Sequence, residues 1–568
     1  MTMPPTGPGP YQPDGGAQQP GPGGYQAEPG GYEAAAGPYG GHPYPQPGDP
    51  SYASPAPPSN TRTVGWVGVA ALYALVVWQL VIPTVSTLVE STRSGNPIGA
   101  DADPVGLQNW SDVLPQLGPA LGFAIVAVLP VTVVAAVLGF VIGGAMTPQQ
   151  QHARAVRVVV GVLAALFVPL GIGLSRFVAG DGFGSAAQAQ TFVVVVVTLA
   201  ALPLLTAAFA TAFAVALAGR APGRGVAAVL LVGVTGALAL GPQLFELPFV
   251  FGRSGADSGS QSPTQLIYQL GFIMFDFGRG AAVAGFLLLL AGVLGIVAVL
   301  ALLLVGARLG VREDVGPPSG SSGRGVVGAV IAGVVLLAAV VLLLPVLAGG
   351  FAAAPGGQVS PIRVGLATWV PAAIATVLQV GVAVLGGAAI GWCRPAGRRS
   401  LWLLLPLAPW LFVGPAPLML ARYLEQREMG ILDTWVGRIP GPTVVVGAVV
   451  VMAMLFAGMR ERTGRTDRRV VGAAAAGAAG VLLITQAQSL LPSLIVSSGG
   501  DTATAPVTLV RLVGSMGFHN EDSSWLLGLL YPLPMLLLVA ALGVLAQLGL
   551  RRVELQTPHQ PQPPEQRF

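Results

Sequence analysis

Twelve apolar runs, most of them close to the length a helix needs to cross a bilayer, follow one another between residues 64 and 549. A spanning helix needs about 20 apolar residues at about 1.5 Å of rise each. The runs fall at about 64–88, 116–146, 158–178, 191–218, 226–250, 280–307, 326–348, 364–392, 400–421, 442–459, 470–494 and 525–549. Water cannot hold such a chain. Charged residues make up 9% of it and hydrophobic ones 53%, where a soluble domain is about 25% charged. The expected fold is an all-α polytopic membrane protein of about twelve transmembrane helices.

Arginine placement supports the count. All 28 basic residues are arginine. Nineteen fall on one side of the alternating runs: Arg62 before the first, groups such as Arg154/Arg157, Arg220/Arg224 and Arg394/Arg398/Arg399 after even-numbered ones, and Arg551, Arg552 and Arg567 after the last. Asp101, Asp103, Asp112, Asp181, Asp257, Asp501, Glu521 and Asp522 lie opposite. Loops rich in arginine stay in the cytoplasm, so the expectation is a cell-membrane protein with both termini cytoplasmic. The net charge of +4 reflects this asymmetry rather than nucleic-acid binding, and the partner it implies is the bilayer.

One phrase occurs twice. Ser254–Gly271 reads SGADSGSQSPTQLIYQLG and Ser498–Gly514 reads SGGDTATAPVTLVRLVG, with aspartates offset by 244 (501 − 257) and prolines by 243 (506 − 263). Nearly the same shift lays Arg176-Phe177 on Arg422-Tyr423 and Val137-Leu138-Gly139 on Val384-Leu385-Gly386. The expected architecture is therefore two parallel six-helix repeats, related by an axis along the membrane normal. The boundaries read 64–307 for the first half, 308–325 for a cytoplasmic linker, 326–550 for the second half and 551–568 for a cytoplasmic tail. Residues 1–63, rich in Pro, Gly and Tyr, cannot repay the entropy of folding and are expected to be a disordered cytoplasmic tail able to dock protein partners.

The 45 residues from Pro263 to Ala307 are too long for one span, so a break is expected at Gly278-Arg279-Gly280. The stretch before it places Leu266, Leu270, Ile273 and Phe277 on one helical face and Gln265, Gln269 and Asp276 on another. It is read as an amphipathic helix on the outer surface or dipping back into the bundle. Its counterpart breaks through His519-Asn520-Glu521-Asp522.

Ionisable groups near spans are costly, which makes them the first candidates for a substrate or ion path. Glu246 sits between Pro242 and Pro248, as an interfacial anchor or as a proton- or cation-binding carboxylate beside an outer gate, with Arg253, Arg279 or a glutamine as partner. Arg176 and Arg422 occupy matching outer positions, as snorkelling anchors or anion contacts. Asp276 and Arg279 have the spacing of a local helical ion pair. Gln379, Gln486, Gln488 and Gln547 are expected to hydrogen-bond between helices.

No phosphate-binding loop, HExxH or Ser-His-Asp arrangement is present, and the lone Cys393 excludes a cysteine-based zinc site. The expectation is no enzyme, no cofactor and no metal. Two functions fit: a secondary transporter or permease-like protein for a small solute or lipid, with its path between the halves, or a non-transporting scaffold that recruits partners through its tail. A polar interior favours the first and a closed apolar one the second.

Overall fold

The computed structural model describes residues 59–95, 103–166, 186–219, 221–249 except 247, 261–312, 323–349, 360–439, 441–497, 503–514, 528 and 530–557. Arg176, Arg253, Asp257, Asp501, His519–Asp522 and residues 1–58 lie outside this set.

Among the described residues, nine helices are long and apolar enough to cross a membrane, and the fold is almost wholly helical. The first span is composite: α1 (Ser59–Val76), a π-helical turn (Val77–Val81) and α2 (Ile82–Glu90). There follow α3 (Gln108–Ala145), α4 (Ala153–Ala165), α5 (Ala186–Leu217), α6 (Pro222–Leu240), the short α7 (Pro263–Tyr268) and α8 (Phe277–Leu304). Strand β1 (Arg308–Val311) leads to α9 (Gly323–Gly349) and α10 (Pro361–Gly387). Next come a 3-10 helix (Gly397–Trp410), α11 (Met419–Glu428), α12 (Val446–Arg462) and α13 (Arg468–Ala487). The short α14 (Leu491–Val496), α15 (Ala505–Gly514), α16 (Leu533–Gly549) and β2 (Val553–Gln556) complete the fold. In each spanning helix the protein buries only 22–44% of the most apolar window. The remainder, with Val126, Val137, Leu337, Val377 and Leu385 well exposed, presents a surface that water would not tolerate and lipid would.

The other three expected runs are not among these nine. Run 158–178 begins in α4 and continues beyond the described residues, and run 442–459 is the 17-residue α12. Run 400–421 is largely the 3-10 helix, fourteen residues long and packed on α8. Such helices seldom exceed a turn or so, because their hydrogen bonds are poorly aligned. Its period of three stacks Leu401, Leu404, Leu407 and Trp410 into one ridge, with Leu404 and Leu407 fully buried. Pro406 and Pro409 also sit in it. Pro406 has no N–H to give Leu403, three residues back, and the Tyr73 hydroxyl donates to the Leu403 carbonyl instead at 2.6 Å.

Glycines set the closest helix pairs. A Cβ on Gly139 of α3 would fall 2.5 Å from the Phe209 Cβ of α5, and one on Gly387 of α10 would fall 2.5 Å from the Met452 Cβ of α12. A turn later, Gly143 meets the Ala210 carbonyl and Phe213, and Gly391 meets the Ala453 carbonyl and Phe456. Gly543 of α16 rests on the Gly161 carbonyl of α4, and Gly295 of α8 rests on the Ala408 carbonyl of the 3-10 helix. Helix α9 packs on α3 and α4, while α1 packs on α10 and the π turn Ala388–Trp392 that extends it.

Two features depart from the sequence reading. Segments 308–325 and 551–568 were expected to be linker and tail, yet β1 and β2 pair antiparallel, with Leu309 opposite Leu555. The break before α8 falls at Met274–Asp276, where Phe275 has φ +57°, rather than at Gly278–Gly280. The Asp276 carboxylate then accepts from the Arg279 N–H at 3.2 Å and caps α8, so the glycines belong to its first turn.

Candidate functional site

Of the two placements expected for the segment before α8, the structure adopts the one inside the bundle. Pro263–Ile267 are all buried, as are residues 503–510 around the second copy of the phrase. Ser262 caps α7, accepting from the Gln265 N–H at 3.1 Å and donating to the Leu244 carbonyl at 2.6 Å. In the second copy, the Ala505 N–H donates to the Thr368 hydroxyl at 2.8 Å. Hydroxyl side chains thus satisfy buried backbone groups at the starts of these short helices, as buried polar groups require.

The largest polar arrangement surrounds the irregular stretch between α11 and α12. The Gln79 amide oxygen, in the π turn of the first span, accepts from the Thr443 N–H at 2.6 Å and the Thr443 hydroxyl at 2.8 Å. Gln379, near the middle of the span that contains α10, donates to the Pro442 carbonyl at 2.8 Å and accepts from Gln486 of α13. Arg422 of α11 donates to the Gln79 carbonyl at 2.7 Å and pairs with Glu425 at 3.2 Å, its guanidinium lying against Gly441. The Gln79 carbonyl is open to Arg422 because Pro83, four residues on, has no N–H to give it. A seam of amides and one guanidinium therefore runs from α11 through the first span and α10 to α13. It ends in two buried atoms without a hydrogen-bond partner, Arg422 Nε and Gln486 Oε1. Unpaired buried groups of this kind cost about 1–3 kcal/mol each and call for water or a ligand.

The turn after the 3-10 helix is held in the same way. Gln243 donates to the Ala239 and Phe412 carbonyls, both at 2.8 Å, and accepts from the Gly414 N–H at 2.7 Å.

The other expected site residues do not join the seam. Glu246 is half-buried and accepts from the Leu490 N–H at 3.3 Å, just before α14. Arg279 pairs with Asp112 of α3 at 2.8 Å and with Asp276 at 3.6 Å, a half-exposed cluster that ties α8 to α3. Gln547 donates to the Thr211 hydroxyl at 2.6 Å, linking α16 to α5 as expected of an intramembrane glutamine. Gln79, Thr443 and Gln243 were not singled out from the sequence. Gln79 had a signal, being the only amide side chain in the run 64–88.

On the opposite, arginine-rich face the ribbon is anchored by ion pairs. Glu554 of β2, 4% exposed, accepts from Arg312 at 2.5 Å and from Arg462. Glu461 of α12 takes Arg308 and Arg394, the latter at 2.7 Å. Among the described residues no three His, Cys, Asp or Glu side chains gather to hold a metal ion. Compared with protein-family models and with curated proteins, the chain matches none of them.

Proposed function

We propose that the protein is a secondary transporter for a small polar solute carrying an anionic group, with its path along the Gln79–Gln379–Gln486 seam. The observation that carries this reading is irregular backbone at the level of the spans, held by amides and a guanidinium whose outermost polar atoms are unpaired. Irregular backbone is tolerated at membrane depth where protein buries it or a water-filled cavity is lined by it, and broken helices beside a polar site are characteristic of transporters. Arg422, paired with Glu425 and the Gln79 carbonyl through its terminal nitrogens, keeps its buried Nε–H to offer a carboxylate or phosphate. Glu246 lies off this seam, against the Leu490 N–H, and is a separate candidate for a coupling-ion site.

The reading includes twelve spans in two parallel halves. Its support is the recurrence of helix contacts at a nearly constant shift. Gly387 and Gly391 follow Gly139 and Gly143 by 248 residues (387 − 139 and 391 − 143), and they meet the same atoms of the partner helix. The pairing of α4 with α16 recurs as the 3-10 helix with α8, and that of α9 with α3 recurs as α1 with α10. Leu309 and Leu555, 246 residues apart (555 − 309), face one another in the ribbon, which is where a two-fold axis along the membrane normal would pass. Glu246 meets Leu490, 244 residues on, near the other end of the same axis. In this reading the ribbon and both termini are cytoplasmic, which the arginine alternation supports.

Single cysteines introduced after Cys393→Ser test path and orientation together, with membrane-impermeant maleimide applied to either side. Arg154→Cys and Arg465→Cys are expected to react only from the cytoplasmic side and Ser111→Cys only from the outside. Thr443→Cys is expected to react from both, as alternating access requires. Labelling of position 443 from neither side would leave the closed scaffold as the better reading, and a reversal at 154, 465 or 111 would end the orientation.

A further inference from the structure

Four guanidiniums gather where α1, the turn after α10 and the end of α12 meet, and one carboxylate serves them. Gly65 seats α1 on this turn, since a Cβ there would lie 2.7 Å from the Cys393 Cβ and 3.2 Å from Pro395. Arg62 is one helical turn earlier on the same face, exposed and with no hydrogen bond or ion pair to another described residue. Arg394 is fixed by the Ala457 carbonyl at 2.9 Å and by Glu461 at 2.7 Å. Arg460 donates to the Trp392 carbonyl and lies 6.0 Å over the Trp392 ring. Arg308 takes the other oxygen of Glu461. Burial, then the charge of Arg394 and, more weakly, that of Arg62 hold the Arg460 guanidinium below the usual arginine range, although Cys393 acts the other way. Among the described residues that repulsion has no further counter-charge: Glu461 is shared by Arg308 and Arg394, which leaves Arg62 and Arg460 without an anion.

A second observation fixes the depth of the cluster. Trp66, one turn beyond Arg62, is 48% exposed between Val64 and Val67, and Trp402 is 44% exposed one turn beyond the exposed Arg398 and Arg399. Tryptophans on an apolar outer surface mark the level of lipid headgroups. The two arginine rows lie one turn to the water side of that level, where phosphates are.

We propose that Arg62, Arg394 and Arg460 form a binding site for a phosphate oxyanion, with the headgroup of an anionic phospholipid of the cytoplasmic leaflet as its source. Guanidiniums bind phosphate oxygens through paired N–H bonds, and basic pockets between spanning helices on this side are suited to anionic headgroups. The site ties α1 to α10 and α12 and is independent of whether the protein transports anything.

The test uses full-length protein in neutral detergent, stripped of lipid, with thermal unfolding followed as lipid is added. A ligand that binds only the folded state raises Tm. Phosphatidylglycerol is expected to raise the Tm of the wild type more than phosphatidylcholine does. In Arg62→Gln, which removes no hydrogen bond or ion pair among the described residues, the unliganded Tm is expected to stay unchanged while the phosphatidylglycerol-specific rise falls by more than half. Arg465→Gln, an equal charge change away from the cluster, is expected to keep the full rise. Inorganic phosphate identifies the source: no rise assigns the site to the headgroup, and a rise lost in Arg62→Gln assigns it to a soluble phosphate. Equal loss in Arg62→Gln and Arg465→Gln, or no specific rise in the wild type, overturns the proposal.

Discussion

Replacing Glu554 with alanine is expected to destabilise the purified protein by on the order of 3 kcal/mol, measured by denaturant titration in detergent. Removing one member of a buried ion pair typically costs about 3–5 kcal/mol. The low end applies because the Arg312 and Arg462 side chains are 25% and 31% exposed and can recover some hydration. Acid is expected to produce the same loss. Burial by itself would push the Glu554 carboxyl up. Hydrogen bonds from Gln556 and Arg312, with the charges of Arg312 and Arg462, outweigh burial and hold it below its usual value of 4.5. A carboxyl lowered in the folded state contributes stability that is complete above the unfolded value and is lost as pH falls through the folded one. The wild type should therefore lose stability more steeply than Glu554→Gln as pH drops below about 4.5. Parallel curves for the two proteins would remove the ribbon carboxylate from the account.

The glycines at the two crossed helix contacts are expected to give effects at least as large. A Cβ on Gly295 would sit 2.2 Å from the Ala408 carbonyl oxygen, and one on Gly543 would sit 2.3 Å from that of Gly161. The obstacle in both cases is backbone, so relief requires α8 to part from the 3-10 helix, or α16 from α4, along their whole contact. Overpacking costs typically about 1–3 kcal/mol and occasionally more. Gly295→Val and Gly543→Val are expected at or beyond the upper end, seen as lost thermal stability and lower yield of folded protein. Gly118→Ala and Gly381→Ala, where nothing lies within 4 Å, serve as controls. They should be neutral or stabilising, since alanine is favoured over glycine in a helix by about 1 kcal/mol. The pair also bears on the duplication. Equivalent positions must suffer equally, so tolerance at one with collapse at the other would contradict it.

The spanning helices could be read from the chain because hydrophobic length is a local property, as in the runs that became α3, α5, α8 and α16. The ribbon was hidden for the opposite reason. RLGV and VELQ are each too short to pattern as a strand, and their pairing joins residues about 245 apart in sequence. The 3-10 helix was equally invisible, because an apolar run of leucine and proline carries no mark of its rise per residue. At the seam, Gln379, Gln486 and Arg422 stood out as polar groups in apolar surroundings. Thr443 and the Pro442 carbonyl did not, because backbone that leaves a helix becomes a binding partner only once the neighbouring spans are in place. Arg279 was read as the partner of Asp276 and is drawn more tightly to Asp112, on a helix the sequence could not bring near it.

The 3-10 helix also gives the chain more length than an α-helix of the same residues would. Fourteen residues at about 2.0 Å of rise measure about 28 Å, where an α-helix of the same residues would reach about 21 Å. Pro406 and Pro409 oppose rewinding, because in an α-helix each ring would crowd the carbonyl four residues back, at a cost of about 3 kcal/mol. The segment is a strut of set length. A change in the tilt of α8, which is a candidate span, would be passed to this segment through the Gly295–Ala408 contact. Its tilt, measured in bilayers of graded acyl length, should follow membrane thickness; a constant tilt would show that the contact yields.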